Sequence, residues 1–343
     1  MTRKEPDARR RDPAQWNRQR QTAFLLAALS LTAQVAAAQA ALSWQSEQVQ
    51  MARAPGIIAG TLIVPSGTAR MPLVVIIAGS GPTDRDGNSG VATRGPNNLR
   101  QLAESLATHG IASVRYDKRS LFGSASAGTK ESDLRFDTLA ADAAAWVRRY
   151  RADERFSRII VLGHSEGALL GLLAVLQTNA DGYVSLEGPA RRADDIIRDQ
   201  LADAQVPAAL RARSDTIMAA IRAGQTVTPV PPELAALFRL SVQPYLTSWF
   251  RYSGAEEIRR LKVPCLIVQG TSDFQVMPSE ALLLKAANPS CETLQVDGMN
   301  HVLKKTPAGR MEQVNSYYDP SLPVAPGLVE GLVSFVRAVE ARP

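Results

Sequence analysis

The stretch that decides the fold is Gly163-His164-Ser165-Glu166-Gly167. Before it, Arg158-Ile159-Ile160-Val161-Leu162 is short, apolar and rich in β-branched residues, which is typical of a buried strand. After it, the apolar run of residues 168–175 predicts a helix. Glycines two positions before and after Ser165 let a strand and a helix approach without a clash of side chains. The stretch therefore predicts a strand, a sharp turn and a helix, with the serine exposed at the turn as in a nucleophile elbow.

Strand and helix patterns alternate along the rest of the chain. This alternation predicts an α/β fold with a mostly parallel sheet and helices on both of its faces. The predicted strands are residues 60–65, 73–78, 111–116, 158–162, 182–186, 264–269 and 293–296, and helical periodicity covers residues 98–108 and 133–150.

One segment interrupts the alternation. Residues 191–260 are rich in Ala, Arg and Leu, helical in pattern, and contain no convincing strand. They predict a helical cap inserted between the two parts of the core, residues 41–190 and 261–343. We expect this cap to close the site and to determine specificity.

The composition excludes a nucleic-acid partner. The 343 residues are 45% hydrophobic and 21% charged, enough for one large core with an insertion. The net charge of +6 arises mainly from residues 1–40, which hold seven Lys/Arg and three Asp/Glu and leave 32 basic against 30 acidic residues in the remainder. A nearly neutral domain lacks the basic surface that nucleic acids require.

Residues 1–40 predict a signal peptide. A basic stretch that ends at Arg20 is followed by the uncharged residues 23–38 and by small-residue cleavage sites at Ala38 and Ala40. The sequence therefore predicts an exported protein, periplasmic or secreted. The alternative is an uncleaved segment that anchors the protein to the membrane, although the apolar run is short and polar for a spanning helix. No other apolar stretch of the sequence is long enough to span a membrane.

The two cysteines stand at the starts of two successive predicted strands. Cys265 opens one strand and Cys291 immediately precedes the next. If these strands are parallel neighbours, their starts lie at one end of the sheet, where a disulfide is geometrically possible. Two buried free thiols are the alternative interpretation.

A serine nucleophile needs a base within hydrogen-bond reach, and the chain offers three histidines. His109 closes a predicted surface helix, and His164 adjoins Ser165 but points elsewhere. His301 follows the last predicted strand directly. We therefore expect His301 to be the base.

The acid that orients the base should lie at the same edge of the sheet. Asp273 follows the strand before the one that leads to His301, which gives the chain order serine, acid, histidine. Glu187, at the end of the strand after the elbow, is the competing candidate.

The oxyanion that forms when the serine attacks a carbonyl needs hydrogen-bond donors. We expect the backbone N–H of Glu166, at a helix N-terminus, and the backbone N–H of Ser80, in the loop after a central strand. The glycine-rich segment around Ser80 lacks the pattern of a phosphate-binding loop, and no dinucleotide-binding glycine motif is present. No His, Cys, Asp or Glu cluster has metal-ligand spacing, so we predict neither a cofactor nor a metal.

The segments 78–88 and 115–119 carry a family resemblance. The chain resembles the α/β-hydrolase superfamily over residues 60–341, and within it a branch of bacterial esterases close to the serine aminopeptidase-like hydrolases. The resemblance implies hydrolysis of small-molecule, short-chain acyl esters through an acyl-enzyme, without a cofactor. Two departures stand out: Ala78 replaces the histidine common before the oxyanion glycine, and Ser120 replaces the glycine that usually follows Asp-Lys-Arg.

Three questions remain open at this level. Six charged residues either line the pocket or form an ion-pair network that braces two loops, namely Asp84, Arg85, Asp86, Asp117, Lys118 and Arg119. The enzyme could be a peptidase or amidase of the same fold instead of an esterase. The scaffold could also be a binding protein without activity.

Overall fold

The computed structural model describes residues 43–67, 70–90, 92–128, 130–307 and 309–342. The predicted signal peptide, residues 1–40, lies outside the described residues. No helix in the described part of the chain is both long and apolar enough to cross a membrane.

An eight-stranded sheet forms the centre of the structure. Its strands are β1 (Trp44–Arg53), β2 (Gly56–Pro65), β3 (Met71–Ile77), β4 (Ala112–Tyr116), β5 (Phe156–His164), β6 (Gly182–Leu186), β7 (Cys265–Gly270) and β8 (Glu292–Val296). They lie in the order β1-β2-β4-β3-β5-β6-β7-β8. β2 pairs antiparallel with both β1 and β4, and the remaining pairs are parallel. The mostly parallel sheet and all seven predicted strands are confirmed.

The edge strand β1 was missed by the sequence analysis. It pairs with β2 along its whole length, and none of its residues is fully buried. A strand with one neighbour and only half-buried apolar side chains, here Trp44, Val49 and Met51, needs no continuous apolar run, so its largely polar sequence gave no strand signal.

Helices cover both faces of the sheet. They are α1 (Asn98–Ala107), α2 (Phe136–Arg151), α3 (Glu166–Leu176), α4 (Ala193–Asp203), α5 (Ala208–Arg222), α6 (Ala235–Phe238), α7 (Gln243–Trp249), α8 (Gly254–Ile258), α9 (Ser279–Ala287), α10 (Arg310–Ser316) and α11 (Pro326–Glu340). In β3, Leu73 and Val75 pack with α2 and α3, whereas Val74 and Ile76 pack with α1 and α11. Alternate residues of one strand thus contribute to two separate hydrophobic cores.

The predicted insertion is helical. Residues 191–260 contain α4 to α8 and no strand. Their apolar side chains, among them Phe238 and Phe250, join the core that α2 and α3 form on one face of the sheet. β6 and β7, which flank the insertion in sequence, are hydrogen-bonded neighbours in the sheet.

The charged motifs around residues 84–86 and 117–119 form ion pairs. These are Arg85–Asp117 at 2.6 Å, Arg115–Asp86 at 2.7 Å, Arg119–Asp142 at 2.8 Å and Lys118–Glu166 at 2.9 Å. The bracing network is therefore the interpretation that the structure supports. Ser120, which replaces the usual glycine, has a φ of 71°, a left-handed conformation that glycine adopts more easily.

The two cysteines form a disulfide. In the pairing of β7 with β8, Leu266 lies opposite Glu292, so the two strands start side by side. Cys265 and Cys291 lie at these starts, with their Cα atoms 4.7 Å apart. Of the two interpretations left open above, the structure contains the bridge.

This bridge should stabilise the fold by restricting the unfolded chain. Closing a loop with a sequence separation of 26 residues contributes about 3.5 kcal/mol in the chain-entropy model. We expect the free energy of unfolding of the oxidised protein to be higher by about that amount than that of the reduced protein and that of a Cys265→Ala/Cys291→Ala variant. Urea unfolding with and without reductant measures this difference. Coincident curves for oxidised and reduced wild type would contradict the prediction.

Candidate active site

Ser165 occupies a strained turn between β5 and α3. Its φ of 56° and ψ of −124° are unusual for any residue with a side chain. The turn depends on its two glycines: a Cβ at Gly163 would lie 1.9 Å from the carbonyl oxygen of Gly167, and a Cβ at Gly167 would lie 2.4 Å from the carbonyl oxygen of Ile77. The geometry is that of the predicted elbow, and it leaves Ser165 partly exposed in a cavity wall.

Asp273 and His301 are brought together at the carboxyl edge of the sheet. They follow the neighbouring strands β7 and β8, and the Nδ1 of His301 lies 2.7 Å from Oδ2 of Asp273. Both side chains are buried. The other oxygen of Asp273 accepts hydrogen bonds from the backbone N–H groups of Gln275, at 2.7 Å, and Val276, at 3.0 Å. The carboxylate is therefore fixed from both sides, and it fixes the plane of the imidazole.

His164 is buried behind His301. Its Nε2 lies 2.8 Å from the backbone carbonyl oxygen of His301, so this nitrogen is the hydrogen-bond donor. The centroids of the His164 and His301 rings are 4.8 Å apart. Burial, reinforced by the neighbouring His301, lowers the pKa of His164 to about 3. A neutral His164 thus supports the backbone that carries His301. His109 is exposed at the end of α1, as predicted.

Glu187 lies beside this group but is not placed to orient the base. Its Oε2 is 3.6 Å from Nδ1 of His301 and 3.7 Å from Nε2 of His164, both longer than a hydrogen bond. Burial, followed by the charge of Asp273, raises the pKa of Glu187 well above its ordinary value. This shift favours the protonated form of Glu187, and Asp273 holds the closer position next to His301.

One group of side chains in the described residues has the spacing of a metal site. Ligand atoms of His164, Glu187 and His301 all lie within 4.8 Å of one another, although the three residues are far apart in sequence. Sequence spacing therefore could not reveal this group. Both histidines already have hydrogen-bond partners through the nitrogens that face it.

The two predicted oxyanion donors lie near the serine. Gly79 packs so closely that a Cβ there would be 3.2 Å from Cβ of Ser165, and Ser80 lines the same cavity. Glu166 begins α3, where backbone N–H groups lack partners within the helix. Within the described residues, the N–H groups of Ser80 and Glu166 donate no hydrogen bond to the protein.

Sequence reasoning missed one contact of these loops. The buried ammonium of Lys118 donates to the carbonyl oxygen of Gly79 at 2.6 Å and to Oε1 of Glu166 at 2.9 Å. The motif Asp-Lys-Arg revealed a charged turn but not the groups that it would meet.

Ser165 and His301 line a cavity of about 610 Å³. Its other lining residues are Gly79, Ser80, Gly81, Pro82, Thr83, Gly87, Ser89, Ala92, Thr93, Arg94, Pro96, Asn98, His164, Gln275, Val302, Tyr317 and Tyr318. Most side chains of this described lining are polar, none is a carboxylate, and one, that of Arg94, carries a permanent charge.

None of the described lining residues comes from residues 191–260, so the expectation that this segment closes the site and determines specificity stays a prediction. The insertion packs against α2 and α3. The loop of residues 79–98 forms most of the wall, and it is braced by Asn88, which bonds the backbone N–H and the side chain of Asn97 at 2.9 and 2.8 Å.

Comparisons with known proteins agree with this architecture. A family model described as "Alpha/beta hydrolase family" matches residues 74–315. The chain is 28% identical over 265 residues to esterase EstD of Thermotoga maritima. That alignment covers 74% of this chain and 61% of the relative, so the chain spans about three fifths of the relative's length.

Solved structures are similar in fold. Est1E from Butyrivibrio proteoclasticus, with bound ferulic acid, superposes with a TM-score of 0.56 at 17% identity, over 86% of this chain and all of that one. The Pyrococcus furiosus esterase Pf2001 gives a TM-score of 0.54 at 18% identity, over 86% of this chain and 91% of that one. At these identities the likeness is one of fold.

Burial of neutral His164 predicts a specific loss of stability in acid. Its pKa is about 3 in the folded protein and about 6.5 when unfolded, so its stabilising contribution is complete above pH 6.5 and is lost as pH falls toward 3. The loss attributable to this group is at most about 5 kcal/mol.

A His164→Gln variant keeps a side-chain donor but cannot titrate. We expect its free energy of unfolding, measured in urea from pH 4 to 7.5, to fall less steeply with acid than that of the wild type. Parallel pH profiles of the two proteins would contradict the assignment of a neutral, buried His164.

Proposed function

Because the chain belongs to the alpha/beta hydrolase family, we propose that it is a serine hydrolase that cleaves carboxylic esters. The observation that carries the proposal is the combination at one cavity wall of Ser165 on its strained turn and His301 bonded to Asp273. A serine hydroxyl becomes a nucleophile when a base oriented by a carboxylate takes its proton.

The proposed reaction has two halves. Ser165 Oγ attacks the ester carbonyl while His301 Nε2, the nitrogen not engaged by Asp273, takes the hydroxyl proton. Collapse of the tetrahedral intermediate breaks the bond to the alcohol, which leaves with the proton from His301. Water then attacks the acyl-enzyme by the same route and releases the carboxylic acid and free Ser165. Asp273 stabilises the imidazolium in both halves.

The developing oxyanion is stabilised by backbone donors. In this proposal the N–H groups of Ser80 and Glu166 bind the oxygen, and the N-terminal end of the α3 dipole adds to the attraction. Neither N–H group donates a hydrogen bond within the described protein, so binding the oxyanion disrupts no existing hydrogen bond.

The cavity lining favours an ester over a peptide with a free amino terminus. An aminopeptidase needs a carboxylate or carbonyl groups to hold the substrate ammonium, and the described lining has no carboxylate and includes the cation Arg94. The similarity to EstD agrees with an esterase. A side-by-side assay of p-nitrophenyl esters and aminoacyl p-nitroanilides separates the two activities, and faster anilide hydrolysis would favour the peptidase. A binding protein without activity would not react with a fluorophosphonate at Ser165.

We propose short-chain acyl groups as the preferred substrates. A long alkyl chain gains free energy where it packs on large apolar side chains, and the described lining contains no Leu, Ile, Met or Phe side chain. Among p-nitrophenyl acetate, butyrate and dodecanoate, the shorter esters should therefore react faster.

We also propose that the protein is exported through cleavage of residues 1–40. The Cys265–Cys291 disulfide supports an oxidising compartment. N-terminal sequencing of the mature protein tests the proposal, and an intact Met1 would point to an uncleaved anchor.

Removing the nucleophile should abolish activity without unfolding the protein. For Ser165→Ala we expect kcat on p-nitrophenyl acetate to fall at least about 1,000-fold. Its free energy of unfolding should change by less than about 0.5 kcal/mol, because a partly exposed hydroxyl is all that is lost. A variant as active as the wild type would overturn the assignment of Ser165.

Two further variants separate the candidate acids. Asp273→Asn should lower kcat by about 10⁴-fold, because an amide cannot stabilise the imidazolium or hold the required tautomer. Glu187→Gln replaces a carboxyl group that lies farther from His301 than Asp273 does by an amide of the same shape, and it should change kcat less than about tenfold. The opposite ranking of the two variants would assign the acid to Glu187.

A further inference from the structure

Lys118 joins the two segments that flank the candidate oxyanion site. It lies just after β4, and its side chain is only 5% exposed. Its ammonium donates to the Gly79 carbonyl oxygen at 2.6 Å, in the loop after β3, and to Oε1 of Glu166 at 2.9 Å, at the start of α3. One side chain therefore holds the residue before Ser80 and the residue after Ser165.

Stability alone gives little reason for this buried ion pair. Removing two charges from water costs several kcal/mol per ion, and well-packed apolar side chains often stabilise a fold equally well. The carboxylate of Glu166 is 2% exposed and faces Lys118 on one side. On another side it faces the hydroxyl of Tyr245, whose pKa is raised well above its ordinary value by burial and by the nearby Glu166 charge. The pair is fully enclosed, which points to a role in geometry.

The geometry of the peptide group connects Lys118 to Ser80. The Gly79–Ser80 peptide bond is trans, so its C=O and N–H point in opposite directions. A carbonyl oxygen held by Lys118 on the buried side directs the Ser80 N–H to the other side, and Ser80 lines the cavity with Ser165. Without a partner for the carbonyl, this glycine-containing loop would be free to turn its peptide plane.

We propose that Lys118 is a positioning residue for the oxyanion hole. By holding the Gly79 carbonyl and the Glu166 side chain together, it aligns the backbone N–H groups of Ser80 and Glu166 toward a common point. This role rests on the proposed serine hydrolase function. It also gives the insertion a connection to the site through Tyr245 of α7, although residues 191–260 do not line the cavity.

The test replaces both members of the pair, so that no unpaired charge is left buried. In Lys118→Met/Glu166→Gln the backbone donors remain, but the Gly79 carbonyl loses its ammonium. We expect kcat for p-nitrophenyl acetate to fall about 10- to 100-fold, somewhat less than the loss of a whole oxyanion donor, with KM changed less than about twofold.

A trifluoromethyl ketone provides a readout that a purely structural role would not change. Ser165 Oγ adds to its carbonyl carbon, the hydroxyl proton passes to His301, and the carbonyl oxygen becomes an alkoxide in the oxyanion hole. Because this adduct resembles the transition state, its affinity should fall by the same factor as kcat/KM.

The matched control is Arg119→Met. Arg119 is the next residue, is also largely buried, and pairs with Asp142, but it does not line the cavity. It should lose stability in urea yet keep the kcat and inhibitor affinity of the wild type when assayed well below its unfolding transition. An equal loss of kcat in this control would overturn the proposal.

The remaining outcomes are also decisive. A kcat of the paired variant within twofold of the wild type would overturn the proposal, as would a loss of kcat without a loss of inhibitor affinity. A wild type without esterase activity, or an active Ser165→Ala variant, would instead refute the proposed function.

Discussion

The whole site depends on one backbone constraint, the left-handed turn at Ser165. A strand that ends and a helix that begins within one residue can only meet if no side chains stand between them, and Gly163 and Gly167 provide that space. The same close approach brings α3 over β3, so that the N-terminus of α3 and the loop after β3 lie together. The nucleophile and the two oxyanion donors are thus consequences of a single packing arrangement, and the unfavourable φ of Ser165 is maintained by the core around it.

The sequence predicted those parts of the structure that local patterns encode. β2 to β7 were predictable because buried strands are nearly continuous apolar runs, whereas β1 was not, because an edge strand tolerates residues such as Glu47 and Gln48. Ser165, Asp273 and His301 were predictable because each follows a recognisable strand and parallel strands end at one edge. Their placement in space agrees with the expectation, and their catalytic roles remain proposals.

Contacts between distant segments were beyond prediction. Nothing near Lys118 in sequence indicates that its ammonium meets the Gly79 carbonyl and Glu166, since that depends on how three loops pack. The buried neighbours His164 and Glu187 behind His301 were hidden for the same reason. The expectation that residues 191–260 close the site came from the position of the insertion in the sequence, and no local pattern indicated that the loop of residues 79–98, which has its own internal hydrogen bonds, supplies most of the described cavity wall.

Because β6 and β7 pair directly, the segment between them in sequence can change in length without moving the two strands apart. The distance from Ser165 to Asp273 is determined by the hydrogen-bonded spacing of β5, β6 and β7, about 4.8 Å per step, and not by the helices that connect β6 to β7 in sequence. Helices can therefore be gained, lost or exchanged between these strands while the separation of nucleophile and acid stays the same.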